Sequence, residues 1–381
     1  MKILIAPDSF KGSLTALEVS ESIKKGIKNV SEEIKVKLLP MADGGEGTVR
    51  SLVDATDGKI VNKEVTGPLG RKVKAFFGLL GDKNTAVIEM ASASGLPLVP
   101  EGKKDPSKTT TYGTGELIKA ALDYNVDEII IGIGGSATTD AGVGMAQALG
   151  VKFLNQDNKE IGFGGRYLDE IANIDMNDLD PRIKDVNIKV ACDVDNPLFG
   201  PEGAAYIYGP QKGADSKMVK DLDKKLRHFN EAVKKDLGQN VNKIPGAGAA
   251  GGLGAGLVAF LEADLKKGID IILDTVNFDD QLQGVDLVIT GEGRLDGQSI
   301  FGKTPIGVAK RAKKQNIPVI AIAGSLGKGV EKVLDQGIDS YFSIIDRPDT
   351  LDSIIRRTNE LLIQTSEQII RTYILNGINN V

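Results

Sequence analysis

The sequence predicts an α/β protein of two domains, in which both chain ends build one open, mainly parallel sheet and a second mixed α/β domain is inserted between them. Three observations carry this. Strand-like apolar runs alternate with helical stretches at the start; from Val61 to Glu89 the apolar residues alternate between turns; and the strand–helix rhythm returns from Val285. Boundaries drawn on these changes assign residues 1–62 and 285–381 to the first domain and 63–284 to the insertion.

The elements follow in order. KILIA reads as a strand, and Thr15 and Glu18 have the spacing of a capping box ahead of Ala16, Val19, Ile23 and Ile27, which share one helical face. IKVKLLP is the next strand, followed by MADGGEGT and a helical stretch from Val49. GPLG and GDKN mark turns, so the alternating segment around them is expected to form antiparallel hairpins. The apolar run Glu128–Ile131 leads into GIGGSATTDAGVG (Gly132–Gly144) and then a helix start at Met145–Leu149. In KMVKDLDKKLRHFNEAVKKDL, residues Leu222, Leu226, Phe229 and Val233 recur at helical spacing. Val285–Thr290, PVIAIAGSLG and Tyr341–Ile345 read as the closing strands before a terminal helix. There is no fixed-period repeat.

Charge and composition exclude several classes. The balance of 47 basic against 52 acidic side chains, net -5, without a basic block, argues against nucleic acid or an anionic membrane as partner and for a small soluble substrate. Cys192 is the single cysteine, so no intrachain disulfide framework exists, and a reducing cytoplasm is the expected location. The start, MKILIAPDSF, is too briefly apolar for a signal peptide or a membrane span. The single histidine, His228, lies beside a helical core stripe and is expected to be structural or solvated. Without a second histidine there is no His-rich zinc site, and any metal should be a hard, oxygen-ligated one.

The chemistry concentrates near glycines. Gly297–Thr304, GQSIFGKT, has Walker spacing, but six residues, GEGRLD, separate Thr290 from Gly297, and Pro305 removes a donor from the phosphate-facing turn. The apolar run is expected to stop at Gly291 and open into a long phosphate-facing loop carrying Glu292, Arg294, Asp296, Gln298 and Lys303, with a solvated turn as the alternative. In Gly132–Gly144, Gly134, Gly135, Ser136, Thr138 and Thr139 suit phosphate oxygens, while close packing by small residues explains them equally well. Asp140 is either a ligand or an N-cap. The GxGxxG at Gly246, Gly248 and Gly251 follows no convincing strand, so it reads as a flexible loop or a small-residue helix face approaching a ligand or another helix. Asp8, Asp43, Glu46, Asp193, Asp195 and Asp296 follow apolar runs, where open sheets place their ligands; each alone is equally a turn or cap residue. With Lys11 and Asn196 they form a set suited to phosphoryl transfer, which needs positioning and charge stabilisation rather than an imidazole.

Seven blocks then carry a resemblance: APDSFKGSLTA, PMADGGEGT, GIGGSATTDAGVGM, CDVDNPLFGPEGA, GPQKGA, PGAGAAGGLG and TGEGRLDGQSIFGKTPIGVA, spread nearly end to end. In these the chain resembles the type-1 glycerate kinases. The resemblance implies a flavodoxin-like, Rossmann-like sheet domain with a second α/β domain inserted, and ATP-dependent phosphorylation of D-glycerate with Mg2+. The expected product is 2-phosphoglycerate, with 3-phosphoglycerate the alternative. Asp193 and Asp296 are then the general-base candidates, and Lys11 and Lys303 the cations at the phosphates. Arg294 or Arg71 would take the glycerate carboxylate, with Asp8, Ser9 and Asn196 completing the substrate-binding set. Gly134, Gly135, Ser136, Thr138, Thr139, Gly291 and Lys303 would bind ATP phosphates, and Asp43, Glu46 and Glu292 magnesium. The expected partners are small molecules, with a homodimer left open. A kinase of another small hydroxy acid and a non-catalytic carboxylate sensor are the competing readings.

Overall fold

In the computed structural model, which describes residues 1–378, the strands run in chain order as β1 (Lys2–Ile5), β2 (Lys35–Leu38), β3 (Lys59–Thr66), β4 (Lys72–Leu79), β5 (Thr85–Glu89) and β6 (Glu128–Gly132). They continue with β7 (Lys152–Leu154), β8 (Asn173–Asp175), β9 (Asn187–Ala191), β10 (Asp264–Lys266), β11 (Leu287–Leu295), β12 (Val319–Leu326) and β13 (Ser340–Ser343). They fall into two compact units. The first comprises Met1–Asp43, Arg50–Asp57 and the chain from Ile269 onward; the second comprises Gly44–Val49 and Gly58–Gly268.

The first unit holds a five-stranded sheet ordered β2-β1-β11-β12-β13, in which every pairing is parallel. Counted within the unit this is the order 2-1-3-4-5, the flavodoxin-like arrangement, and the direction of winding reverses between β1 and β11. The capping box forms as expected: the Thr15 hydroxyl accepts from the Glu18 amide while the Glu18 carboxylate accepts from the Thr15 amide at 2.8 Å. It starts the helix Ala16–Val30, whose Val19, Ile23 and Ile27 are fully buried against Ile3, Ile5, Leu287 and Ile289. The terminal helix Leu351–Ile378 adds Leu361, Leu362, Ile369 and Ile370 to this core. Helix Thr304–Lys314 packs on β11 and β12.

In the second unit a six-stranded sheet is ordered β10-β9-β6-β5-β4-β3, parallel from β10 to β5 and antiparallel across β4 and β3. The hairpins expected from GPLG and GDKN are present: the Gly67 amide donates to the Arg71 carbonyl, and Asp82 accepts from the amides of Asn84 and Thr85. The helix Ser216–Leu237 buries Leu222, Leu226, Phe229 and Val233, and His228 beside them bonds the Ile171 carbonyl at 2.8 Å, a structural role.

Two differences from the sequence reading have physical causes. β3 lies wholly in the second unit and the residues from Ile269 in the first, because periodicity identifies an apolar face but not the core that covers it. β11 does not stop at Gly291 but runs to Leu295, since β12 extends alongside it and pairs Arg294 with Ser325 and Leu295 with Leu326. Among the described residues no helix is long and apolar enough to cross a membrane.

Candidate functional site

In the first unit the polar groups gather at the carboxyl ends of β1 and β11, where the winding direction reverses and open sheets bind ligands. Asp8 follows β1. Its Oδ1 accepts from the Ser9 amide at 2.6 Å and its Oδ2 from the Thr304 hydroxyl at 2.6 Å. Burial, and then the negative charge of Asp43, push the Asp8 carboxyl up to about 7, against the pull of the Thr304 and Ser9 hydrogen bonds. Glu292, on β11, is 8% exposed; it accepts from the Ser299 hydroxyl at 2.7 Å and from Lys303 Nζ at 3.0 Å. Burial raises Glu292 as well; Ser299 and Lys303 oppose that rise, and the charge of Asp43 adds to it. Asp8, Asp43 and Glu292 are thus one set of mutually repelling carboxylates. The exposed Lys11 turn lies against β11, since a Cβ on Gly293 would come within 3.3 Å of the Lys11 amide nitrogen.

Beyond Glu292 opens a polar pocket of about 760 Å³ lined by Arg294, Asp296, Gln298, Lys303, Lys328 and Lys332 among others. Four cations face two acids there, Asp296 and Glu331. Asp296 is tied to the cations of this pocket. The Gln298 amide, and then the charges of Lys303 and Arg294, hold its carboxyl below the usual range, and it accepts from Arg294 Nε at 3.0 Å.

The Walker-like segment meets more of its expected context than the sequence suggested. β11 reaches Leu295, so only Asp296 separates strand from Gly297, and the helix begins at Thr304 with Lys303 as N-cap. Its hydrogen bonds, however, are turned inward. The amides of Asp296, Gln298, Ser299 and Phe301 bond Ser299 Oγ, Asp296 Oδ1, the Asp296 carbonyl and the Gln298 carbonyl, and the Gly297 amide bonds the Lys328 carbonyl. A phosphate cradle needs those amides for its ligand. Gly291, expected at the phosphates, is instead required by sheet packing: a Cβ there would stand 2.1 Å from the Ile322 carbonyl oxygen.

In the second unit the polar residues again collect at strand carboxyl ends. Glu89 closes β5 and accepts from the Val49 amide at 2.8 Å, at the start of the helix Thr48–Ala55. Its carboxyl is raised chiefly by burial, with the exposed Glu46 adding to the rise. After β6, Gly134 and Gly135 are exposed while Ser136 is 8% exposed and Thr138 and Thr139 are wholly buried. The two threonines are therefore not surface contacts, and their hydroxyls have no hydrogen-bond partner. Asp140 is neither ligand nor simple cap: buried, it accepts from the Thr111 amide at 2.8 Å, the Thr111 hydroxyl at 2.9 Å and the amides of Gly142 and Gly144. Asp193 is exposed and accepts from the Gly268 amide at 3.0 Å. Asn196 has both ends of its amide engaged, by the Tyr208 hydroxyl at 2.6 Å and the Glu202 carbonyl at 2.8 Å, so it is a loop brace rather than an oxygen ligand. Arg71 is exposed at the β3–β4 turn. Burial raises the Cys192 thiol, which suits an inert residue.

The structure thus brings together Asp8, Ser9, Asp43, Glu292 and Lys303, with Arg294 and Asp296 beside them, and assigns Glu46, Arg71, Ser136, Asp193 and Asn196 to the other unit. Sequence reasoning missed Thr304, Ser299, Lys328 and Lys332; the first two lay inside the Walker-like pattern, whose hydroxyls were the available signal. Among the described residues no three acids, histidines or cysteines form a ready-made metal cage.

Comparison with known proteins agrees along the whole chain. The profile of the glycerate kinase family matches residues 3–374. A glycerate kinase of Haemophilus influenzae is 56% identical over 371 residues, covering 97% of this chain and 98% of its own. The Escherichia coli K12 protein named glycerate 2-kinase is 52% identical over 380 residues, covering 100% of each. The crystal structure of a glycerate kinase 2 candidate from Salmonella typhimurium LT2 superposes with a TM-score of 0.92 at 49% identity, over 99% of both chains.

Proposed function

This chain belongs to the glycerate kinase family, and on that premise we propose that it transfers the γ-phosphoryl group of ATP to the 2-hydroxyl of D-glycerate, giving ADP and 2-phosphoglycerate. The observation that carries the reading is the repelling set Asp8, Asp43 and Glu292 beside the cationic pocket of Arg294, Lys303, Lys328 and Lys332. Phosphoryl transfer asks the protein for position and charge balance, and this arrangement supplies an acceptor for a hydroxyl proton next to cations for phosphate oxygens. The E. coli relative, matched end to end and named glycerate 2-kinase, supports the 2-hydroxyl as acceptor.

Asp8 takes the role of general base in place of Asp193 and Asp296. Held by the Ser9 amide and the Thr304 hydroxyl, its carboxylate receives the proton of the attacking hydroxyl as the new P–O bond forms and the bond to the ADP oxygen breaks. Arg294, Lys328 and Lys332 balance the phosphate charge. Asp43 and Glu292 are hard oxygen donors whose repulsion a divalent cation would relieve, and magnesium binds through one or two carboxylates plus phosphate oxygens rather than in a protein cage. Bound there, magnesium would neutralise charge on the β- and γ-phosphates. The cytoplasm, with its ATP and reducing thiols, is the compartment that this chemistry and the single cysteine favour.

The test is an assay of the purified protein with D-glycerate, ATP and magnesium, following ADP release and identifying the product by phosphorus NMR. 2-Phosphoglycerate is expected. 3-Phosphoglycerate would overturn the choice of hydroxyl, and no turnover by folded protein would overturn the kinase reading. Lys303→Ala is expected to raise KM for ATP by about 10-fold, the worth of one charge-assisted hydrogen bond, without abolishing nucleotide binding. Complete loss of ATP binding in that variant would restore the literal P-loop.

A further inference from the structure

Lys212 is the most unusual charged residue of the second unit. It closes the short 3-10 turn Pro210–Lys212 and is 2% exposed, a burial that lysine almost never adopts unpaired. Its Nζ donates to Ser136 Oγ at 2.6 Å and to the Thr138 carbonyl at 2.6 Å. Burial pulls the ammonium down to about 7, and the charge of the buried Asp140 opposes that. The kinase mechanism above does not use it.

The loop it grips is held from every side. Gly135, Ala141 and Gly142 have φ of +74°, +54° and +74°. Asp140 clamps its end to Thr111 through two hydrogen bonds. The Thr138 carbonyl touches the backbone at Gly251, where a Cβ would come within 1.9 Å. Strain that the surroundings over-determine in this way is a mark of preorganised sites. The loop's outward side is Gly134 and Gly135, both exposed, with Ser136 next to them at the carboxyl end of β6. Ser136 Oγ already accepts from Lys212, so the hydroxyl proton is left to donate elsewhere. A hydroxyl polarised by an ammonium is a stronger donor than an isolated one, and anionic oxygens are what such donors bind.

We propose that Lys212 is a positioning residue that polarises and aims the Ser136 hydroxyl at an anionic oxygen of a substrate bound over Gly134 and Gly135. That oxygen belongs either to the carboxylate of the hydroxy acid or to a phosphate of the nucleotide. The proposal rests on the kinase reading for the identity of those substrates. Lys212 acts through Ser136 and does not itself touch the ligand.

The experiment compares Ser136→Ala, Lys212→Met and the double variant in steady-state kinetics with each substrate varied in turn, alongside thermal unfolding. Ser136→Ala, which keeps the loop's packing, is expected to raise one KM by about 10- to 100-fold, the range of a hydrogen bond to a charged group, with little change in kcat. Lys212→Met, which leaves the Ser136 hydroxyl unpolarised and unaimed, should raise the same KM by up to that factor, and the double variant no further than Ser136→Ala, since Lys212 acts only through Ser136. The KM that moves, for D-glycerate or for ATP, identifies the carboxylate or the phosphate. A purely structural Lys212 would lower the unfolding temperature of Lys212→Met and leave Ser136→Ala with wild-type KM values, which overturns the proposal. So do independent, additive effects of the two changes. Should wild-type protein fail to turn over D-glycerate, the kinase reading falls by itself; calorimetric titration of D-glycerate and of ATP against wild type and Ser136→Ala then decides the proposal, which requires weaker binding of one of them and fails if both bind as before.

Discussion

Asp8→Asn is expected to lower kcat for D-glycerate phosphorylation by about 10²- to 10⁴-fold, the loss usual when a general base is removed. The substitution is nearly isosteric. The Ser9 amide keeps an oxygen acceptor and the Thr304 hydroxyl can reverse to accept from the new amide, so the fold has no reason to change. Steady-state kinetics check it: a kcat within a few-fold of wild type would remove Asp8 from the chemistry. Stability should move the other way. The folded-state pKa of Asp8 lies near 7 against an ordinary 3.8, so the folded protein binds this proton more tightly than the unfolded chain does. The native state therefore loses stability as pH rises from about 4 through about 7, and carries the full penalty above that range. Asn bears no such charge. Unfolding temperatures should thus favour Asp8→Asn over wild type at pH 8, and the difference should fade at pH 4. A variant less stable at pH 8 would contradict the burial argument.

Gly251→Ala is expected to cost on the order of 3–5 kcal/mol, combining overpacking with a strained backbone. The residue has φ +72°, and a Cβ would stand 1.9 Å from the Thr138 carbonyl oxygen and 2.7 Å from the Thr138 carbonyl carbon. Neither contact is the end of a flexible side chain. Both belong to the backbone that Lys212 and Asp140 also fix, so the loop cannot yield without giving up those hydrogen bonds. A urea titration followed by circular dichroism reads the effect, and a midpoint equal to wild type would show that the approach is looser than described.

What was legible in the sequence was whatever local chemistry controls. The Thr15–Glu18 box, the buried stripe of Ser216–Leu237 and the GPLG turn each depend on residues a few positions apart, and each forms. The strand–helix alternation at both chain ends likewise announced one sheet shared by distant segments. What was hidden depends on partners far along the chain. Asp296 and Asp193 were base candidates on the resemblance, and no spacing rule could show that the Gln298 amide and the cations Lys303 and Arg294 stabilise the ionised form of Asp296. Asp8 stands out only through its burial and the nearby charge of Asp43, neither of which any spacing rule predicts. Gly291 looked like a ligand-facing glycine and is occupied by backbone approach instead, while at Gly251, where a loop or a small-residue face approaching a ligand or a helix was expected, the approach is to the Thr138 backbone. Lys212 sat unremarked in GPQKGA because lysine is ordinarily a solvated residue, and only burial against Ser136 and Thr138 distinguishes it.

The pairing of β1 with β11 has a consequence for how the chain comes to be made. Lys2 bonds Asp286, 284 positions away, and both flanks of β1 must be in place before its sheet is complete. On the ribosome the second unit emerges whole, with nearly all of its pairing partners already synthesised, while the apolar β1 waits beside β2 without the strand that covers its other edge. Folding of the nascent chain is therefore expected to run from the middle outwards, with the carboxylates Asp8, Asp43 and Glu292 of the first unit the last groups to be assembled. Such a chain leaves the apolar edge of β1 open for most of its own translation, and the cell has reason to shield that strand until β11 arrives.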